Sequence, residues 1–261
     1  MRKKGSIQTF AKRRALILEE LEANDIVKVE DLSRKLGVSV VTIRKDLDLL
    51  DLEGRLERIH GGAVKNYRMQ QTQSFVDQMN LHKAAKCQIA AAAAKLVNSG
   101  ESVILNSGST TCYIAEELCK KKDVLVITNS FHVFNITGHC RTVTTLFLGG
   151  RYDSEHQISY DEDAIEQLSK YKAEKLFLGM DGIDLESGAT TYTHTSTAIT
   201  KKMMECAKQK ILVVDDSKIQ KTALVHIAAL TEFDLLITKA TPENAAILEA
   251  IRQRGLNVLA V

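Results

Sequence analysis

The 261-residue sequence predicts two joined folds, a small α+β winged helix-turn-helix domain followed by an α/β domain with a mainly parallel sheet. Three observations predict this. Two helical stretches before residue 53 are separated by about three residues, the spacing of a helix-turn-helix. A basic ribbon alternating with apolar residues follows them at once. From Lys83 onward, short β-branched or leucine-rich runs alternate with amphipathic helical stretches, the pattern of parallel strands covered on both faces.

The first element, "RRALILEELEAND", sets Leu16, Ile17, Leu18 and Leu21 on one side at helical spacing and ends near Asn24. "IVKV" has strand character. "EDLSRKLG" places Leu32 and Leu36 four apart and stops at Gly37, a residue suited to ending a helix. Ser39 is the expected N-cap of the next helix, whose apolar stripe is Ile43, Leu47 and Leu50. That stripe turns Val41, Thr42, Arg44, Lys45 and Asp48 toward solvent. A cationic, hydroxyl-bearing first turn suits major-groove reading, because Arg and Lys pair with guanine edges or phosphates and Thr contacts base or backbone. Gly54 ends the helix. Arg55 to His60 then alternates with a strand period before Gly61-Gly62 permits a reversal, giving a two-stranded wing that carries Arg58 and His60. The plain alternative is a small helical domain with a solvated basic rim.

"LSRKLGVSVVTIRKDLDLLDLEGRLERIHGGA" resembles the winged helix-turn-helix signature of the DeoR family of bacterial transcriptional regulators. The matching positions are Ser39, Thr42-Ile43-Arg44-Lys45-Asp46 and His60-Gly61-Gly62-Ala63. The resemblance spans about sixty residues. It implies that Ser39, Thr42, Arg44, Lys45, Arg58 and His60 contact double-stranded DNA.

Residues 67–82, polar and glutamine-rich, read as a linker between a domain at 1–66 and one at 83–261. In the second domain "SVILNSG", "VLVITNS", "TVTTLFLGG", "KLFLGMDGI", "KILVVDDS", "DLLITKA" and "LNVLAV" are the expected strands. Functional residues of such a sheet lie just past the strand carboxyl ends. There stand Asn106, Ser107, Gly108, Ser109, Thr110 and Thr111; then Thr128, Asn129 and Ser130; then Gly149 and Gly150; then Asp181 and Gly182; then Asp215, Ser217 and Lys218. Each is ordinary turn chemistry alone. Together they describe a polar pocket for a small, hydroxylated, phosphorylated ligand, with the Ser107–Thr111 segment opening a helix whose N–H groups suit an anion.

Residues 83–261 resemble the DeoR effector domain, which is similar to ribose-5-phosphate isomerase and coenzyme A transferase relatives. The resemblance implies that Ser107 to Thr111 cradle a phosphate, with Asp181, Gly182, Asp215, Ser217 and Lys218 on the sugar side. The "NSGSTT" and "GMDGID" segments look most like the hexitol-responsive branch. Two departures stand out. Asp153 and Asp161 occupy positions where the family often has an Arg and a Gly, and Thr195-Ser196 replace acidic residues. Two carboxylates facing the pocket would repel a second anionic group.

Charge excludes little. Residues 1–66 hold 14 Lys and Arg against 11 Asp and Glu, or +3, and the rest hold 21 against 22, or −1. No apolar run reaches the roughly 18 residues of a membrane span, and no signal-type segment follows the basic start. Five scattered cysteines without a CxxC pair fit reduced thiols, and the cytoplasm is the expected compartment. The seven histidines show no ligand spacing, His132 and His139 included, so no metal is expected. No GxGxxG or GxxxxGK appears, so no cofactor is expected. The sequence thus reads as a repressor of a sugar or polyol operon, at least dimeric on paired half-sites, with no catalytic residues. The alternative is an isomerase-like enzyme using Asp181, Asp184 and Lys218, with an accessory DNA-binding module.

Overall fold

The computed structural model describes residues 10–24, 26–52, 55–59, 61–64 and 75–261, in two compact units, 1–73 and 74–261. Gly54, His60 and residues 67–74 of the expected linker lie outside the described residues.

The first unit runs α1 (Phe10–Asn24), β1 (Ile26–Lys28), α2 (Val29–Leu36), α3 (Val40–Leu52), β2 (Glu57–Ile59) and β3 (Gly62–Val64). The apolar stripes converge as their spacing requires. Ile17 and Leu21 of α1, Leu32 of α2, and Ile43, Leu47 and Leu50 of α3 share one buried cluster with Val27, Leu56 and Ala63. Each such Leu or Ile contributes about 1.5–3 kcal/mol on burial. Gly37 ends α2 in the left-handed region at φ +67°. The wing has one strand more than the sequence predicts, because β1 joins it in the order β1-β3-β2, both pairings antiparallel. Gly62 makes this possible: a Cβ there would lie 2.1 Å from the Val27 carbonyl oxygen.

The second unit begins before Lys83. Residues of the expected linker form α4 (Phe75–Asn80), followed by α5 (Lys83–Lys95). Phe75 and Met79, four apart on one helical face, pack against the buried cluster of Ile89, Val103 and Tyr113. Glutamine-rich surroundings hid that pair in the sequence.

Next come β4 (Ser102–Leu105), α6 (Ser109–Leu118), β5 (Val124–Thr128), α7 (Phe131–Thr137) and β6 (Val143–Phe147). A hairpin of β7 (Arg151–Asp153) and β8 (Ile158–Tyr160) leads to α8 (Glu162–Ser169) and β9 (Ala173–Leu178). The chain closes with β10 (Gly182–Asp184), β11 (Gly188–Thr191), α9 (Thr197–Glu205), β12 (Ala207–Val213), β13 (Val225–Ala228), β14 (Leu235–Thr238), α10 (Ala245–Gln253) and β15 (Asn257–Ala260).

Each of the seven apolar runs forms one strand of a single parallel sheet, ordered β15-β14-β12-β9-β4-β5-β6. Alternate residues feed opposite faces. Ile104, Leu176 and Leu178 enter the cluster that holds Ala164, Ile199 and Leu248. Val103, Leu105 and Phe177 enter the one with Ile89, Ile114 and Val133. Helices therefore cover both sides, and the strands can be apolar throughout. The β7–β8 hairpin and an antiparallel sheet β10-β11-β13 are additions to the predicted architecture. Their three- and four-residue strands are too short to show a period.

The cysteines depart from expectation. Cys119, just past α6, forms a disulfide with Cys140, just past α7, so not all five thiols are reduced. The two lie 21 residues apart in sequence, and only the side-by-side packing of α6 and α7 brings them together. Burial pushes the Cys112 thiol up to about 12, which leaves it unreactive. Among the described residues, no helix is long and apolar enough to cross a membrane.

Candidate DNA-binding and effector sites

In the first unit, Ser39 caps α3. Its Oγ accepts the Thr42 N–H at 3.2 Å and lies 2.9 Å from Thr42 Oγ1, so both hydroxyls sit at the helix start. Arg44 and Lys45 are exposed, as is Val41, and the face opposite holds the buried Ile43 and Leu47. Asp46 on that inner face is 2% exposed and receives the Arg13 guanidinium through Nε and Nη2, the latter at 2.9 Å. This buried pair locks α3 to α1. The sequence shows both residues but not their pairing, 33 positions apart.

Arg58 is used differently from a free phosphate contact. Its Nε donates to Asp48 Oδ1 at 2.9 Å, its Nη1 to the Gly62 carbonyl, and its backbone N–H to Asp51 Oδ1 at 3.1 Å. The side chain therefore ties the wing to α3. His60 lies outside the described residues.

In the second unit, the five segments singled out in the sequence follow β4, β5, β6, β9 and β12. These five strands are consecutive in the sheet, and all are parallel, so their carboxyl ends share one edge. The strand order reverses between β4 and β9: β5 and β6 extend to one side, and β12, β14 and β15 to the other. A doubly wound sheet opens its binding crevice at that switch point. Asn106 and Gly179 meet across it. Asn106 Nδ2 donates to the Gly179 carbonyl and Gly179 N–H to Asn106 Oδ1, both at 2.9 Å.

The candidate residues divide into scaffold and free donors. Asn106 is spent on that clamp. Thr111 Oγ1 donates to the Asn106 and Gly108 carbonyls, and Thr128 Oγ1 to the Leu105 carbonyl. Ser130 caps α7 through the Val133 N–H. Gly149 N–H binds Gln167 Oε1. Gly150 is required at φ +130°, where a Cβ would also meet the Tyr160 oxygen at 2.5 Å. Gly182 is required because a Cβ would meet the Lys221 oxygen at 2.4 Å. Asp181 Oδ2 accepts Thr191 Oγ1 and the Tyr192 N–H.

By contrast, the hydroxyls of Ser107, Ser109 and Thr110 have no partner among the described residues, and α6 begins without a side-chain cap. Asn129 donates to the Ser159 carbonyl while its own Oδ1, fully buried, has no partner. A Cβ on Gly108 would meet only Thr111 Oγ1, at 3.5 Å, so the protein itself does not require glycine there.

Asp215 is 2% exposed; its Oδ1 accepts Ser217 and its Oδ2 lies 3.8 Å from the ammonium of Lys86, which is equally buried. Burial pushes the Lys86 pKa below its ordinary value, against the pull of Asp215 and with the push of Lys218. Lys86 was missed in the sequence, where it is one lysine among several at the start of an alanine-rich helix. His82, Asp215 and Asp216 bring ligand-type atoms within 4.8 Å of one another. The Asp215 carboxylate of this group is already engaged by Lys86 and Ser217.

The two sequence departures meet. Asp153 Oδ2 accepts Thr195 Oγ1 at 3.2 Å and His156 Nδ1 at 2.9 Å, and its Oδ1 accepts the Glu155 and His156 N–H groups. Asp161 caps α8 through the Asp163 N–H and lies 3.5 Å from Arg151. Both carboxylates are thus occupied within the protein. Ser196 Oγ donates to the Thr193 carbonyl. Asp184 accepts the Glu186 and Ser187 N–H groups in a turn, which holds its carboxyl below the usual range and unsuited to act as an acid.

Comparison with known proteins assigns both units. A family profile described as "DeoR C terminal sensor domain" matches residues 81–240, and one described as "DeoR-like helix-turn-helix domain" matches residues 13–68. The chain is 35% identical over 254 residues to a "Putative aga operon transcriptional repressor" of Escherichia coli O157:H7, covering 96% of this chain and 94% of the relative. It is 32% identical over 247 residues to the "HTH-type transcriptional repressor GlcR" of Bacillus subtilis (strain 168), covering 95% of each. It is 33% identical over 259 residues to the "HTH-type transcriptional regulator UlaR" of Shigella dysenteriae serotype 1 (strain Sd197), covering 97% of this chain and all of the relative. A ribose 5-phosphate isomerase A from Methanocaldococcus jannaschii aligns with TM-score 0.40 and 20% identity over 51% of this chain and 53% of its own, too distant to bear on function. With a winged helix-turn-helix, a sensor-type sheet and full-length relatives that are transcription factors, this chain belongs to the DeoR family of DNA-binding transcriptional regulators.

Proposed function

We propose that this regulator represses a sugar or polyol utilisation operon and is controlled by a phosphorylated sugar-type effector bound at the carboxyl edge of its parallel sheet. The observation that carries the reading is the gathering of five polar segments on five consecutive strands at the switch point between β4 and β9. The unpartnered hydroxyls of Ser107, Ser109 and Thr110, with the first N–H groups of α6, supply donors for a phosphate. Lys218 and the buried Asn129 Oδ1 supply a cation and an acceptor for the sugar side. Asn106, Thr111, Thr128, Ser130, Gly149, Gly150, Asp181 and Gly182 build the walls. The names of the relatives, aga and GlcR among them, support sugar metabolism as the field of control.

Ser39, Thr42, Arg44 and Lys45 present α3 to an operator's major groove, with the wing braced by Arg58. Paired half-sites then require at least a dimer. The cytoplasm, where the operator is, is the compartment. A thermal-shift screen of sugar and polyol phosphates, with hits retested for operator release, tests the whole reading. A stabilising monophosphate that also releases operator supports it; DNA binding indifferent to every compound that stabilises the protein would refute it.

A further inference from the structure

The six-residue helix α4 is too short to be stable alone, so its position is set by what holds it. Besides the core packing of Phe75 and Met79, three contacts do so, each from a residue next to a different segment of the candidate effector site. The Phe75 ring stacks on His132 with centroids 3.5 Å apart, and His132 lies two residues past Ser130. Tyr113, two residues past Thr111, donates its hydroxyl to the Met79 carbonyl at 3.0 Å. Lys86 donates to the Gln78 and Leu81 carbonyls at 2.5 and 2.7 Å while its ammonium stands 3.8 Å from Asp215 Oδ2. Among the described residues, α4 is also the first helix of the second unit.

We propose that α4 is the relay of this regulator: effector occupancy alters the docking of α4 on His132, Tyr113 and Lys86, and that docking sets the DNA-binding competence of the chain. The inference rests on the effector reading above. A ligand shifts an equilibrium only through contacts that differ between the two states. Here the segments it would touch after β4 and β5 run into the residues that hold α4, and the segment after β12 reaches α4 through Lys86 of α5. Lys86 is the most responsive of the three contacts. It is buried, it feels both Asp215 and Lys218, and it spends its N–H groups on the carboxyl end of α4. Any ligand that engages Asp215 or Lys218 changes the field on that ammonium and its hold on the two carbonyls.

The test uses the full chain and three variants: Tyr113→Phe, Phe75→Ala and Lys86→Met. Tyr113→Phe removes a single hydroxyl and keeps the ring, so the fold is preserved. Ribose 5-phosphate, hexose 6-phosphates and polyol phosphates serve as probes, with inorganic phosphate as the control. Calorimetry reads ligand affinity, and fluorescence anisotropy reads operator affinity with and without ligand. Allosteric ratios are commonly roughly 5–150-fold. In Tyr113→Phe and Phe75→Ala, ligand affinity and ligand-free operator affinity should each stay near the parent values, while the ratio of operator affinities without and with ligand falls by about tenfold or to none. Lys86→Met should lose the ratio too, but because it leaves the buried Asp215 without its cation it should also lower stability and ligand affinity, so the two aromatic variants carry the test.

An unchanged ratio in both Tyr113→Phe and Phe75→Ala would overturn the relay. So would loss of ligand binding itself in Tyr113→Phe, which would make that residue part of the site. A parent protein that binds a sugar phosphate without any change in operator affinity would overturn the effector reading, and the relay with it.

Discussion

Replacing Asp46 by alanine would leave the Arg13 guanidinium, 11% exposed, without the carboxylate that holds it through two N–H groups. Removing one partner of a buried pair costs about 3–5 kcal/mol, because the remaining charge loses the carboxylate paired with it. A domain of about 65 residues has roughly 3–10 kcal/mol of stability in all, so the loss consumes much of it. At about 4–8 °C per kcal/mol for a domain of this size, the melting transition of the winged domain should fall by at least about 12 °C. Differential scanning calorimetry resolves that transition from the sensor's, and operator binding at 37 °C provides a second reading. The sensor's transition should not move. The double variant Arg13→Met/Asp46→Leu removes both charges and should recover most of the loss. A fall of less than about 3 °C in Asp46→Ala would refute the reasoning. So would a double variant as unstable as the two single losses added.

Arg44→Ala should relax base preference by roughly 1–3 kcal/mol at particular positions, measured on operator variants. Arg58→Ala should weaken all sequences but leave the salt slope unchanged, because its guanidinium is committed to Asp48 and Gly62; a slope lower by about one unit would instead reveal a phosphate contact. Gly182→Ala should lower the sensor's melting temperature, since its Cβ would strike the Lys221 oxygen at 2.4 Å, whereas Gly108→Ala should fold normally and lose effector affinity in calorimetry. The Glu174 carboxylate is held at about 2 by the Ser102 hydroxyl and N–H. Its folded pKa is thus below the ordinary 4.5, so its contribution is complete above that pH and is lost as pH falls toward 2. The melting-temperature gap between the parent and Glu174→Gln should accordingly narrow across that range, and a constant gap would contradict it.

Much of this architecture was legible because its signals are local. Seven apolar runs form seven strands, and the stripe Ile43, Leu47 and Leu50 alone fixes the faces of α3. The candidate site was legible as a list, since strand order and parallel pairing then place each strand end. Its division of labour was not. Asn106 and Thr111 look like ligand donors in sequence, but each finds a partner within the protein that spacing does not reveal. Lys86 is the reverse case, an unremarked helix lysine until burial against Asp215 gives it a role. Arg58 and Asp48, ten positions apart, likewise read as two solvated charges. Short strands such as β7 and β10 carry no period at all, which is why the hairpin joining Asp153 to Thr195 could not be foreseen.

The pairing of β4 with β9 closes a long excursion of the chain. Asn106 and Gly179 are 73 positions apart, Ser102 and Glu174 72, and Glu101 and Lys175 74. Strands β4 to β6 can associate with nearby segments, but this seam must wait for a loop closure whose entropy is paid before its contacts form. The proposed effector crevice lies on the seam, so a chain in which β4 and β9 are unpaired does not possess it. A ligand there binds only the completed sheet and stabilises it by about 2.7 kcal/mol at a hundred times its dissociation constant. In a cell rich in the effector, the sensor would therefore resist unfolding and proteolysis better, which makes the lifetime of the protein a second readout of the metabolite it senses.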